Sequence, residues 1–192
     1  MSNDRCFACG THTNDLTFHE LGCVRAFGTA ISARHNLVRD ELAQALRAIG
    51  GLVQVEPTPF PQSIQRTDLR WIIDGRDIHF DVSIINPLNK SVIKKAAKQQ
   101  LKAAETREQS KRNKYDPLCQ SIDAEFIPIV IESYGGYGKE FITFLTRLHS
   151  IVKDNLTLTD GIAIISNMQD QIARHVVQLN GLIMKWSSSQ GD

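Results

Sequence analysis

Asp68-Leu69-Arg70-Trp71-Ile72-Ile73-Asp74-Gly75-Arg76-Asp77-Ile78-His79-Phe80-Asp81-Val82-Ser83-Ile84-Ile85 alternates apolar and polar residues on both sides of Asp74-Gly75. Asp-Gly is favoured in two-residue type I′ turns, so the stretch reads as a β-hairpin. Pairing outward from the turn sets Ile73 opposite Arg76, Trp71 opposite Ile78 and Leu69 opposite Phe80. Those pairs share one apolar face. The other face pairs Ile72 with Asp77, Arg70 with His79, and Asp68 with Asp81. A hairpin with one apolar face must be covered by another layer, which points to a sheet packed by helices.

The flanking sequence supplies that layer. Val38, Leu42, Ala45, Leu46 and Ile49 recur at helical spacing, predicting a helix over Asn36–Ile49 with Asn36 as N-cap and Gly50-Gly51 as its stop. Leu52–Val55 reads as a short strand, ended by the proline-rich loop Pro57–Pro61. Downstream, Ser91–Asn113 reads as one long helix with Ile93, Ala97, Leu101 and Ala104 on its inner side. Lys94, Lys98 and Lys102 form a neighbouring stripe, and Tyr115-Asp116-Pro117 ends the helix. Phe126–Glu132 is an apolar run that suits a buried strand. The Gly135-Gly136-Tyr137-Gly138 turn leads into a helix over Glu140–Val152. A last helix over Thr159–Lys185 precedes a polar, frayed tail. The expected fold is α/β, of the α+β kind, with a central mixed sheet flanked by helices. Residues 1–30 form a head, 31–155 the core, and 156–192 a C-terminal helix and tail.

Of the 192 residues, 42% are hydrophobic and 22% charged, ordinary values for a globular chain. Runs such as Phe126–Ile131 are too short to cross a bilayer. Met1–Arg5 does not begin a signal peptide, so an intracellular site without membrane partners is expected. The formal net charge of +1 conceals an asymmetry. Lys90 to Lys114 holds nine Lys or Arg against two Glu, a local charge of +7. Such a segment suits a polyanion, or is merely a solvated helix face.

Three of the four cysteines lie in the first 23 residues, in the pattern Cys6-x2-Cys9-x9-His19-x3-Cys23. Two close pairs of sulfur and nitrogen donors suit tetrahedral Zn²⁺. His19 fits the spacing to Cys23 better than the competing His12. Four protein ligands leave no open position, so the zinc is expected to be structural, and so small a head should need it to fold. Cys119 stands alone.

Asp68 opposite Asp81 poses an electrostatic problem. Directly opposed residues have Cβ atoms roughly 4.5–5.5 Å apart, and like charges there repel. A hard divalent cation such as Mg²⁺ relieves the repulsion and can activate water toward a phosphate. The alternative is that Arg70 and His79 neutralise a surface acidic patch. The basic helix that follows supplies lysines to stand beside the two acids.

In this combination the sequence resembles the restriction-like endonuclease domain of site-specific non-LTR retrotransposon proteins, within the PD-(D/E)xK nuclease superfamily. The resemblance covers about residues 6–150. It rests on the Cys-Cys-His-Cys head, Arg34-His35-Asn36, Asp68-x12-Asp81-Val82, Ala104-Glu105 with Lys111, Lys114-Tyr115, and Pro128, Glu132 and Gly135–Gly138. It implies a restriction-endonuclease-like core that nicks DNA with Mg²⁺ held by Asp68 and Asp81. It also implies a helix lysine in place of the usual one two residues after the second acid, where Ser83 stands. Lys98, Lys111 and Lys114 are the candidates, with Tyr115 in support. Arg34, His35, Lys94, Lys98 and Lys102 are candidate DNA contacts. Thr67 replaces the signature proline, and Glu41 or Glu132 is either a third carboxylate or a structural acid. Further implied partners are an RNA template and a reverse transcriptase domain outside this chain, with a nuclear location. The rival readings are a non-cutting, zinc-containing DNA-binding module and a zinc-stabilised protein-interaction domain.

Overall fold

A computed structural model of the chain describes residues 5–6, 8–12, 18–61 and 63–189; the first four residues and the tail from 190 onward, whose fraying was expected, lie outside it. The fold is α+β. Asp74 and Gly75 take φ of 49° and 72°, as a type I′ turn demands. The hairpin register pairs Ile73 with Arg76, Trp71 with Ile78 and Leu69 with Phe80, as the alternation predicts. Strands β1 (Leu52–Val55), β2 (Leu69–Ile73) and β3 (Arg76–Ile85) are antiparallel neighbours. Strand β4 (Glu125–Glu132) lies parallel to β3, completing a mixed sheet of order β1-β2-β3-β4. A parallel neighbour requires a crossover. Helices α2 (Ile93–Ala96) and α3 (Lys102–Gln120) provide it.

Both faces of the sheet are covered. Leu69, Trp71, Phe80 and Ile129 join one core with Val38, Leu42 and Leu46 of α1 (Val24–Ile49), and with α4 (Lys139–Asn155) and α5 (Leu158–Ser189). Phe144 of α4 meets Trp71 and Phe80 edge-on, at centroid distances of 6.5 and 5.0 Å. On the opposite face α3 packs Tyr115 and Cys119 against Phe60 and Phe126. His79, Asp81 and Ser83 are therefore buried, although they occupy the polar face of the hairpin. The α1 helix turns into β1 through Gly50-Gly51, where Gly51 has φ 83° and a Cβ would run into the Ile72 carbonyl. Trp71 Nε1 locks that corner by donating to the Gly50 carbonyl at 2.8 Å.

The helices depart from expectation in three places. Helix α1 begins at Val24, so Asn36 is an interior residue and not an N-cap, and the helix crosses the expected boundary near residue 30. Its first turns find their cover far along the chain, where Phe27 packs with Ile183. The long basic helix is broken: α2 buries no side chain, and Leu101 is left-handed at φ 59° before α3 starts. The Lys94, Lys98, Lys102 stripe therefore does not form on one helix. At the other end, α3 runs through Pro117 to Gln120, because burial of Tyr115 and Cys119 outweighs one missing backbone donor.

Candidate functional site

Where β2 and β3 meet the inner side of α3, a cleft of about 260 Å³ opens. Its chemistry comes from four elements: His35 of α1, Asp68 just before β2, Asp81 and Ser83 of β3, and Arg107 and Lys111 of α3.

Asp68 is not a ladder partner of Asp81. The β2–β3 ladder ends at Leu69 with Phe80, and the Asp68 N–H donates to the Phe80 carbonyl at 2.9 Å. Two successive residues thus face Phe80. This is the geometry of a β-bulge, which re-aims a side chain. The Asp68 carboxylate then takes over a backbone donor of β3, accepting from Val82 N–H through Oδ2 at 2.6 Å. The same Oδ2 lies 3.0 Å from His35 Nε2. His35 Nδ1 meets Asn36 Oδ1 at 3.2 Å. Both ring nitrogens face oxygen acceptors, so the imidazolium form suits the site. The Asp68 hydrogen bond raises the His35 pKa, against the effect of burial.

Asp81 is 4% exposed. Burial raises its carboxyl pKa, Lys111 opposes that rise, and the Asp68 charge adds to it. Both carboxylates line the same cleft. Lys111 Nζ stands 2.5 Å from Asp81 Oδ2. Yet that oxygen, like His79 Nε2, is buried without a well-directed hydrogen bond.

The remaining predicted residues separate clearly. Arg34 lines the cleft but is 1% exposed; it donates to the Leu21 carbonyl and to Asn180 Oδ1. It ties the head to the core instead of facing solvent. Lys114 turns to the Tyr115 hydroxyl, at 2.9 Å, with its ammonium 4.4 Å over the ring. Tyr115 donates to the Arg66 carbonyl at 3.0 Å and lies against Asp81; burial first, then that charge, raises its phenol. Lys94 and Lys98 do not line the cleft, and Lys102 pairs with Glu105 at 2.8 Å. Among the described residues, Lys111 alone of the three candidate lysines meets an aspartate. Arg70 and His79 do not neutralise Asp68 or Asp81. Arg70 pairs with Asp77 at 2.6 Å, and His79 shares a 2.8 Å hydrogen bond with the Thr67 hydroxyl. Burial lowers the His79 pKa to about 4, keeping it neutral.

Glu132 and Glu41 are structural acids. Glu132 accepts the Ala104 N–H at 3.2 Å, at the start of α3, and Glu41 meets His175 at 3.1 Å. Sequence reading missed Arg107. Its signal was present: Arg107 precedes Lys111 by four residues, one helical turn.

The head supplies a second ligand group. Ligand atoms of Cys6, Cys9, His19 and Cys23 all lie within 4.8 Å of one another, and could hold a zinc-like ion. Zn–S bonds of about 2.3 Å imply a tetrahedral edge of about 3.8 Å. Cys6 Sγ and Cys23 Sγ stand 3.8 Å apart, and Cys9 Sγ lies 3.1 Å from His19 Nε2. His12 is outside the group and bridges to Arg5. The turn that presents Cys6 and Cys9 closes through Cys6 N–H to the Thr11 carbonyl at 2.8 Å. Leu21, Cys23, Phe27 and Ile183 pack beneath it. Asn86 also donates to the Phe18 carbonyl at 2.8 Å, joining the head to the end of β3. The head thereby fixes the start of α1, the helix that carries His35 to the cleft.

The chain matches no model of a known protein family, and no curated protein matches it. Among the described residues no helix is long and apolar enough to cross a membrane.

Proposed function

We propose that this chain is a Mg²⁺-dependent DNA endonuclease domain with a restriction-endonuclease-like core, related to those of site-specific non-LTR retrotransposons. The observation that carries the reading is the convergence of Asp68, Asp81 and Lys111 on one cleft, with Asp81 buried and Lys111 seated on its Oδ2. A buried carboxylate with a second carboxylate in the same cleft fits a cation ligand pair. The antiparallel meander followed by a crossover to a parallel strand is consistent with that core.

Asp68 and Asp81 would hold the cation, which when bound supplies charge to the phosphate and acidity to water. His35 orients the Asp68 carboxylate through Oδ2. Lys111 holds Asp81 and keeps a positive charge beside the position of a scissile phosphate. In the hydrolysis, the water oxygen bonds to phosphorus and one ester P–O bond breaks, leaving a phosphate end and a hydroxyl end. The Cys/His head takes structural Zn²⁺. DNA is the partner, in a nuclear setting, and an RNA template and a reverse transcriptase domain belong to the same reading.

One observation favours a second reading, a non-cutting DNA-binding module. Lys111 and His35 already offset both aspartates without a cation. Supercoiled-plasmid nicking in Mg²⁺ separates the two. The wild type is expected to nick, with Asp68→Ala and Asp81→Ala each slower by about 100-fold or more, since even outer-shell changes cost 10–100-fold. Equal nicking by all three refutes the assignment of the aspartates. No nicking by any, with DNA binding retained, selects the second reading.

A further inference from the structure

Two cations of α3 enter the cleft one helical turn apart, and they are held differently. Lys111 meets a carboxylate, Asp81, at 2.5 Å. Arg107 instead donates Nε to the Ser83 hydroxyl at 3.3 Å. Among the described residues no acid or carbonyl accepts from its two terminal nitrogens. Several guanidinium forks elsewhere on the core are occupied: Arg39 by Asp40 and Glu56, Arg70 by Asp77, Arg112 by Glu140. Arg34, the other guanidinium lining the cleft, is sealed inside the protein. Arg107 is thus an exposed fork, anchored at its stem, on the wall of a cleft that contains two carboxylates.

Two carboxylates attract cations and repel an anionic substrate. A site for a phosphodiester therefore needs a positive group that the aspartates have not already neutralised. A guanidinium matches two phosphate oxygens with two parallel N–H donors, which an ammonium cannot do. Ser83, 6% exposed, sits two residues beyond Asp81 on the same face of β3, and its short side chain leaves room for Arg107 to reach the strand.

We propose that Arg107 grips the non-bridging oxygens of a nucleic-acid phosphate in this cleft, with Ser83 as the positioning residue that aims its fork. The proposal rests on reading the cleft as a phosphodiester site. It divides the work of α3: Lys111 secures Asp81, and Arg107 takes the substrate.

The test is affinity for a fluorescent DNA duplex without divalent cations, across a salt series. The proteins are the wild type, Arg107→Ala, Arg107→Lys, Ser83→Ala and the distant control Lys153→Ala. Loss of one phosphate contact lowers the slope of log affinity against log salt by about 0.9. Arg107→Ala is expected to show that drop, with affinity about tenfold weaker at low salt. Arg107→Lys keeps the slope but loses part of the affinity. Ser83→Ala does likewise, because the charge remains while its aim is lost. Lys153→Ala matches the wild type. Wild-type affinity and slope in Arg107→Ala overturn the proposal, as does a wild type that does not bind DNA.

Plasmid nicking in parallel keeps the two ideas apart. Nicking that Asp68→Ala abolishes and Arg107→Ala leaves untouched overturns the role of Arg107 and preserves the nuclease. A wild type that binds through Arg107 but never nicks preserves the grip and removes the nuclease.

Discussion

The Cys/His head and the aspartate cleft both gather groups of the kind that can ligate a cation, but they are assembled in opposite ways. The head takes four donors from one short segment, with ligand atoms within 4.8 Å and, among the described residues, no ion pair to any of the four. The cleft takes its carboxylates from the two arms of a hairpin and carries its own counter-charges, His35 on Asp68 and Lys111 on Asp81. A cluster that already contains positive charge keeps its shape without a metal. A cluster of thiols and an imidazole over a small apolar base has little else to hold it. The head should therefore depend on its ion for structure, and the cleft should need one only for chemistry.

The largest effect should come from the head. Cys23→Ser, or removal of the ion by a strong chelator, is expected to cost about 3–5 kcal/mol and roughly 10 °C in melting temperature. The segment around residues 5–23 should also become sensitive to protease. An unchanged melt after chelation would erase the contrast between the two clusters.

A smaller effect tests the cleft in metal-free buffer. Lys111→Met leaves Asp81 buried without its counter-charge and should cost about 3 kcal/mol, whereas Lys111→Met with Asp81→Asn should recover most of that loss. Denaturant melts of the two variants measure it. Losses that simply add would mean that the pair is not coupled as described.

Glu108 gives the smallest effect and a useful reference, a buried carboxylate served mainly by a backbone donor. It accepts the Glu140 N–H at 2.9 Å, where a Cβ on Gly138 would collide with it. Burial raises its pKa, and the Glu140 N–H and Arg112 work against the rise. A raised carboxyl means that the native state binds the extra proton. The associated stability is present below the ordinary carboxylate range and lost as pH rises through the folded value. Glu108→Gln keeps the acceptor and should flatten that part of the pH–melting profile. An unaltered profile would assign the titration elsewhere.

The same contrast explains what could be read from sequence. Cys6, Cys9, His19 and Cys23 were legible because their spacing is local. The hairpin register was legible because Asp74-Gly75 pins a period-two pattern. The bulge at Asp68 was not, since the alternation continues through Thr67 without a break. Choosing among Lys98, Lys111 and Lys114 required the phase of α3. That phase depends on a left-handed Leu101 and on Glu132 accepting the Ala104 N–H, neither of which a helical stripe reveals. The start of α1 stayed hidden because Phe27 packs on Ile183, near the far end of the chain.

The central claim is that Asp68 and Asp81 share one divalent cation. The most direct measurement is anomalous diffraction from crystals soaked in Mn²⁺. The account predicts one peak at roughly 2.0–2.3 Å from oxygens of both carboxylates, close to hard-cation bonding distance, and its loss in Asp81→Asn. A saturating soak with no peak there, and with Lys111 and His35 still seated on the two aspartates, would contradict it.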